Sequence, residues 1–171
     1  TGVQTCALPI YNDHADCAQL MLTHGDAEIN WRDGDGNTPL INATLNGKRH
    51  CAQMLVNAKA NITGANYGGV TALMVAAFAG HAPSVKQLLH SKADVRARDD
   101  KGRLALMWAV RGGSSECVRL LIDAKSPLEA KNHENDTALL LAVDDGGHTE
   151  CARLLIQAKA KIETRDNDGR T

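Results

Sequence analysis

Short stripes of apolar residues recur along this chain with the spacing of one helix face. Between Arg49 and about Ala58, the apolar positions are Cys51, Ala52, Met54, Leu55 and Val56. This spacing is typical of a helix rather than a strand. Similar stripes return at residues 118–122 and 152–156. The pattern therefore predicts a series of amphipathic helices, each burying one face.

A second, shorter helix is predicted before each stripe. Thr38 followed by Pro39 combines an N-cap side chain with a proline at the first helical position. We therefore expect a helix from Pro39 to about Leu45, ended by Gly47. After each longer helix comes a short segment with one aliphatic residue, such as Ile62, and then turn residues. This arrangement predicts a hairpin finger between one helix pair and the next.

The whole pattern repeats with a fixed period. Similar short motifs begin at equal intervals along the chain, at Thr38, Thr71, Leu104 and Thr137. Self-similarity at a period of about 33 residues predicts a stacked array of small units rather than one core with one cleft. We divide the array into units 1 to 5, at residues 11–32, 33–65, 66–98, 99–131 and 132–165, with the start of a further unit at 166–171.

Both ends of the sequence depart from a complete array. Residues 1–10 do not follow the pattern, and Pro9 falls at a helix-interior position where proline costs about 3 kcal/mol. We interpret residues 1–10 as a non-native, adapter-derived segment and residues 11–171 as the array. Residues 168–171 reproduce the opening of a unit and stop there, so we expect the chain to be a fragment of a longer array.

The unit resembles the ankyrin repeat. The residues that support this resemblance are Gly36-Asn37-Thr38-Pro39-Leu40 with Ala43, and the run from His148 to Leu155. The resemblance covers residues 11–171. It implies an all-α repeat solenoid of stacked helix-turn-helix units with short β-hairpin fingers. It also implies a concave face, formed by the fingers and inner helices, that binds other proteins.

One departure from the family pattern concerns helix ends. The glycine that usually follows the second helix is replaced at four positions by lysine: Lys59, Lys92, Lys125 and Lys159. A lysine in the left-handed conformation costs about 1 kcal/mol, offset in part by its charge at a helix C-terminus. The pair Gly146-Gly147 brings one residue more than Gly112-Gly113 needs, which predicts a bulge in the inner loop of unit 5.

Composition and charge narrow the function. The net charge is −1 and both signs are mixed along the chain, which argues against nucleic acid as a partner. No apolar run approaches the roughly 20 residues that span a bilayer, so we expect no membrane insertion. Four of the five cysteines occupy equivalent positions in units about 10 Å apart, too far for disulfides. We interpret them as buried thiols of a cytoplasmic or other reducing intracellular protein.

The sequence gives only weak signals for a catalytic or metal-binding site. His14 with Cys17 and His148 with Cys151 each show a one-turn spacing, but a closed zinc site needs four converging ligands. Adjacent carboxylates at residues 99–100 and 144–145 lie at turns, where capping explains them. We therefore predict that the chain is not an enzyme and has no cofactor or metal.

Residues transferred from the concave face of the family form the candidate binding site. Apolar candidates are Leu45, Tyr67, Val70 and Phe78. Basic and polar candidates beside them are Arg98, Lys101, Arg103, Arg111 and His133. Interfaces concentrate their energy in a few aromatic and arginine residues. Trp108 lies inside an inner helix, and we expect it to be buried.

These residues indicate a monomeric protein-interaction module or scaffold. Its predicted partner is another protein, with an apolar segment followed by acidic residues, docked along units 3 and 4. Two alternatives stay open. The face can be an ordinary solvated surface with chance aromatic residues, or the array can be the regulatory or targeting segment of a larger enzyme.

Overall fold

The computed structural model describes residues 29–144 and 148–162 of the chain. Four helix pairs fill these residues, one pair in each of units 2 to 5. The shorter, inner helices are α1 (Pro39–Leu45), α3 (Ala72–Phe78), α5 (Ala105–Arg111) and α7 (Ala138–Asp144). The longer, outer helices are α2 (Arg49–Asn57), α4 (Ala82–His90), α6 (Ser115–Asp123) and α8 (Thr149–Gln157). The bounds predicted for α1 and α2 are confirmed to within one residue.

Three of the four described inner helices begin at a threonine side-chain cap. Thr38 Oγ1 accepts a hydrogen bond from Ile41 N at 3.3 Å, and Thr71 and Thr137 make the equivalent bond at 3.4 Å. Leu104 at the same position of unit 4 has no side-chain cap and is instead buried at 1% exposure. Burial of leucine thus replaces the hydrogen bond that a threonine makes in the other units.

Each outer helix ends with a lysine in the left-handed conformation. The φ angles of Lys59, Lys92, Lys125 and Lys159 lie between 63° and 69°. After Lys125, Ser126 N donates to Leu121 O at 3.0 Å, while Lys125 N donates to Ile122 O at 2.9 Å. These two bonds form a Schellman motif, which satisfies carbonyls at the helix end and requires a positive φ at the lysine position.

The helices stack in two layers around one hydrophobic core. Each inner helix packs against the outer helix of its own unit and against the inner helices of adjacent units, and the outer helices stack likewise. The most extensive helix packing joins α3 and α5. Small residues permit this close approach: Ala76, Ala77 and Ala109 are fully buried, and Gly112 sits against the Phe78 carbonyl.

The all-α repeat solenoid predicted from the sequence is confirmed in the described residues. Between the helix pairs the fingers are tight turns, with one isolated antiparallel bridge, Ala65 to Thr71, in the described part of the chain. Three residues separate α5 from α6 and four separate α7 from α8. The predicted bulge at Gly146-Gly147, the segment 1–10, most of unit 1 and the 166–171 unit start lie outside the described residues.

Candidate functional site

Each finger turn is organised by one acidic or amide side chain. In unit 4, Asp99 Oδ1 accepts bonds from Lys101 N at 3.0 Å and Arg103 N at 2.8 Å. The same pair of bonds is made at the equivalent positions of the other units by Asp33, Asn66 and Asn132. Because every turn has this acceptor, the residues at the finger tips take equivalent positions.

Backbone hydrogen bonds connect successive fingers. The tip of each finger donates to a carbonyl of the preceding one: Tyr67 N to Asp35 O at 3.2 Å, Asp100 N to Gly68 O at 3.0 Å, and His133 N to Lys101 O at 2.9 Å. The fingers thus form a continuous row with fixed spacing. Two candidate residues, Lys101 and His133, lie on adjacent tips of this row.

Arg98 also joins two fingers. Its Nη1 donates to Gly102 O at 2.6 Å within its own finger and to Lys131 O at 2.7 Å in the next. Arg32 makes the equivalent bonds two units earlier, to Gly36 O at 3.1 Å and Ala65 O at 2.5 Å. Arg98 is exposed, but part of its guanidinium is used to hold the finger row together.

A second row is formed by the last residues of the inner helices. Leu45, Phe78, Arg111 and Asp144 end α1, α3, α5 and α7. Leu45 is 59% exposed and Phe78 is 50% exposed, although both are large and apolar. The row is therefore apolar in units 2 and 3 and charged in units 4 and 5. We call the finger tips and this row together the finger face.

Phe78 of unit 3 and Trp108 of unit 4 meet on this face. The rings of Phe78 and Trp108 are 5.7 Å apart between centroids, in an edge-to-face arrangement at 83°. The Arg103 guanidinium lies over the Trp108 ring, with Cζ 4.5 Å from the centroid. Trp108 Nε1 donates to Asp99 Oδ2 at 3.0 Å. The structure therefore brings Phe78, Trp108, Arg103 and Asp99 into one cluster.

The exposure of Trp108 differs from the sequence-based prediction. The sequence predicts a buried side chain at this position, but Trp108 is only partly buried. The equivalent residues in α1, α3 and α7, namely Asn42, Val75 and Leu141, are 5%, 7% and 8% exposed. An indole is too large for a position that those smaller side chains fill, so part of the ring remains at the surface. Aligning the units on their common period and comparing side-chain sizes could have found this residue.

Tyr67 and Val70 differ in accessibility. Tyr67 is 69% exposed, and its ring covers the preceding finger at Gly36, where an added Cβ would lie 2.7 Å from Tyr67 Cδ1. Gly36 has a φ of +79°, so both the conformation and the contact favour glycine there. Val70 is half-buried and packs against the core. Of the two, Tyr67 is the accessible side chain.

The basic candidates are partly compensated. Arg103 Nε forms an ion pair with Asp99 Oδ2 at 2.7 Å, and the two side chains are 14% and 1% exposed. Arg98, Lys101 and Arg111 are exposed, and the exposed Asp100 lies next to Lys101. Arg98 and Lys101 therefore place positive charge at the surface of this finger, while the charge of Arg103 is balanced by a buried carboxylate.

Candidate groups for other chemistry do not come together in the described residues. In this part of the chain no three His, Cys, Asp or Glu side chains are grouped closely enough to hold a metal ion. His14 and Cys17 lie outside it. Cys151 is 1% exposed, and burial, together with the nearby Glu150, raises the pKa of its thiol. The helices between residues 29 and 162 include none that is long and apolar enough to cross a membrane.

Comparison with known families agrees with this architecture. The family model described as Ankyrin repeats (3 copies) matches residues 6–99 and, in a second overlapping match, residues 73–166. Together the two matches span residues 6–166, which is most of the 171-residue chain. The chain therefore belongs to the ankyrin repeat family, whose members are generally protein-interaction modules and are typically not catalytic.

Proposed function

We propose that the finger face of units 3 and 4 binds a segment of another protein in which apolar side chains are followed by acidic ones. The proposed contact residues are Leu45, Tyr67, Val70, Phe78, Arg98, Lys101, Arg103, Arg111 and His133, to which we add Trp108. The observation that carries the proposal is Phe78, which is 50% exposed while its ring packs against Trp108.

The energetics of the apolar residues support this proposal. Covering the exposed half of Phe78, about 100 Å², would contribute about 2.5 kcal/mol at the usual rate of about 25 cal/mol per Å². Leu45 and Tyr67 are even more exposed than Phe78. Aromatic and arginine side chains are also the residues in which binding energy is usually concentrated.

The rigidity of the face supports it as well. Backbone bonds between fingers and the bonds of Arg98 fix the positions of the tips before any partner arrives. A surface that is already ordered loses little conformational entropy on association. The exposed positive charge of Lys101 and Arg98 favours acidic residues in the part of the segment that lies along unit 4.

The proposal includes a monomeric array in a reducing, intracellular setting. Its support is that the thiols of Cys117 and Cys151 are buried in the core at 0 to 1% exposure and are not joined in disulfides. Sedimentation of the full chain with and without reductant tests both points. A covalent dimer, or a change in mass with protein concentration, would contradict this part of the proposal.

The binding test starts from a display library of random peptides of about 12 residues, long enough to cross two units. The library is selected on the full chain and counter-selected on the Phe78→Ala, Arg103→Glu double variant. We expect the enriched peptides to contain an apolar residue followed closely by Asp or Glu. Affinities of single variants are then measured by titration, and Phe78→Ala should weaken binding about tenfold.

Matched controls lie on the outer helices. Ile156→Ala removes an apolar side chain that is 47% exposed on α8, and Arg119→Glu reverses an exposed charge on α6. Neither should change peptide affinity, because neither residue is on the finger face. Unchanged affinity in both Phe78→Ala and Arg103→Glu, or enrichment without an acidic residue, would refute the proposal.

A further inference from the structure

We infer that Trp108 and Arg103 form the specificity-determining site of the finger face, and that Asp99 is the residue that positions both. The site would take an apolar side chain of an extended segment against Trp108 and Phe78. It would take a carboxylate two residues later on the Arg103 guanidinium. This inference rests on the proposed binding function and names the sequence pattern that the surface selects.

Asp99 fixes the cluster through both carboxylate oxygens. Its Oδ1 accepts from Lys101 N and Arg103 N, which shapes the finger turn. Its Oδ2 accepts from Arg103 Nε at 2.7 Å and Trp108 Nε1 at 3.0 Å. One buried side chain, 5% exposed, therefore orients the turn, the cation and the aromatic ring together.

Arg103 retains capacity for a second carboxylate. Within the described residues, the Nε group of Arg103 donates a hydrogen bond to a side chain, whereas its Nη1 and Nη2 groups have no hydrogen-bond partner. A guanidinium pairs with a carboxylate through two parallel hydrogen bonds. Stacking on Trp108 holds the guanidinium plane, and the Arg103 side chain remains 14% exposed.

The distances indicate the spacing of the partner residues. Phe78 and Trp108 are 5.7 Å apart between centroids, and Arg103 Cζ lies 4.5 Å from the Trp108 centroid. In an extended chain, residues two apart point to the same side and lie about 7 Å from one another. A segment crossing the cluster would thus place an apolar residue at the aromatic pair and the second-next residue at Arg103.

Within the described units this combination is confined to unit 4. Unit 2 has the same carboxylate relationship, but there Asp33 binds the Asn42 amide at 2.8 Å and no aromatic ring is present. Units 3 and 5 have Asn66 with Val75 and Asn132 with Leu141, so neither the carboxylate nor the ring is available. We therefore expect the array to recognise the apolar-acidic pattern of the partner at one place, the finger face of unit 4.

Four synthetic peptides of about nine residues, spanning about 30 Å, test the inference. Each has one Leu in a Ser/Thr/Gly background. Glu follows two positions later in the first peptide and four positions later in the second, and the other two have Gln in place of Glu. Binding to the full chain is followed by Trp108 emission in a Trp31→Phe background, which leaves a single tryptophan. Leucine is used because it does not fluoresce.

Asp99→Asn is the central variant. An asparagine keeps the turn, as Asn66 and Asn132 show, but its amide nitrogen cannot accept bonds from Arg103 and Trp108. The wild type should prefer the two-position peptide over the four-position peptide about tenfold, and Asp99→Asn should reduce this preference below about threefold. Asp100→Asn removes an equal charge next to the cluster and should leave the preference intact.

Arg103→Gln tests the carboxylate contact directly. It should abolish the preference for Glu over Gln peptides, whereas Trp108→Leu, which lacks the reporter tryptophan and is measured by calorimetric titration instead, should weaken the binding of all four. The inference is overturned if Asp99→Asn keeps the spacing preference, or if Arg103→Gln keeps the Glu preference, while Phe78→Ala still weakens binding. Failure of the proposed function looks different: the wild type binds none of the peptides, or Phe78→Ala leaves every affinity unchanged.

Discussion

The indole of Trp108 and the carboxylate of Asp99 are joined by a hydrogen bond of 3.0 Å between residues nine positions apart. Asp33 and Asn42 stand in the same relationship two units earlier, with a bond of 2.8 Å. A carboxylate at the finger turn, buried in Asp99 and partly buried in Asp33, thus orients whichever donor the inner helix presents. In unit 2 this fixes an amide in the core, and in unit 4 it fixes an aromatic ring on the surface.

The carboxylate of Asp33 makes stability depend on pH. Burial by itself raises the pKa of Asp33, but bonds from the Asn42 side chain and from Asn37 and Asp35 outweigh it and lower the pKa below 3.8. A lowered pKa in the folded state gives stability that is present above the unfolded pKa and lost as the pH falls through the folded value. Between about pH 5 and pH 2.5, the wild type should therefore lose more unfolding free energy than Asp33→Asn.

Urea titrations at each pH measure this difference. Asp35→Asn is the matched control. It also removes a carboxylate from this turn, but the carboxylate of Asp35 accepts none of the hydrogen bonds that Asp33 accepts. Its pH dependence should follow that of the wild type. Parallel curves for the wild type and Asp33→Asn would show that the bonds to Asp33 do not stabilise the fold.

Replacing a left-handed lysine should stabilise the protein. Lys125 has a φ of 63° and is exposed at the end of α6. Glycine adopts this conformation without the strain of a Cβ, so Lys125→Gly should raise the free energy of unfolding by about 0.5 to 1 kcal/mol. Chemical denaturation with a constant m-value is the measurement.

Lys86 provides the comparison for this change. It is an exposed lysine within α4, where glycine costs about 1 kcal/mol relative to good helix formers. Lys86→Gly should therefore destabilise the protein. Changes of the same sign in both variants would contradict the assignment of strain to the lysine at the helix end.

A side chain at Gly112 should disrupt the stacking of units 3 and 4. A Cβ there would overlap the carbonyl oxygen of Phe78 and lie 2.8 Å from its carbonyl carbon. Since the clash is with backbone, α3 and α5 must move apart, and Gly112→Ala should cost about 1 to 3 kcal/mol. Thermal and urea unfolding measure the loss.

Gly34 is the matched glycine. A Cβ at Gly34 meets no atom within 4 Å, so Gly34→Ala should change stability by less than about 0.5 kcal/mol. If Gly112→Ala is equally neutral, the close approach of α5 to Phe78 is not required for stacking.

The buried thiols should be unreactive in the folded protein. Burial chiefly raises the pKa of Cys117, and Glu116 adds to this while a bond to Ser114 opposes it. Burial also raises the pKa of Cys151. Because the thiolate is the nucleophile, iodoacetamide at about pH 8 should modify both residues far more slowly in the native chain than in urea. Peptide mass spectrometry measures each site, and equal rates in the two conditions would contradict this burial.

Much of the helical framework could be predicted from local sequence. Thr38 with Pro39 indicated the start of α1, and the stripe from Cys51 to Val56 indicated α2, because capping and periodicity depend on a few neighbouring residues. The fixed period at which these motifs recur predicted a stacked array, and the resemblance to the ankyrin repeat implied the all-α solenoid. The residues of the finger face were transferred from a family resemblance, and their role in binding stays a prediction.

Trp108 shows where local reasoning stopped. Its position inside α5 indicated burial, yet its exposure depends on how closely α3 and α5 approach and on the bond to Asp99 in the preceding turn. From the sequence, Arg103 and Arg98 were predicted to be charged residues on the binding surface. In the structure Arg103 pairs with a buried carboxylate, and Arg98 spans two fingers.

The sequence by itself determined the repeat length, the helix pairs and the family, since these are encoded in short sequence motifs that recur at a fixed spacing. Tertiary structure alone decided which side chains share a surface. The distance between stacked units places Phe78 of one unit against Trp108 of the next, and a contact between different units depends on packing rather than on any local preference.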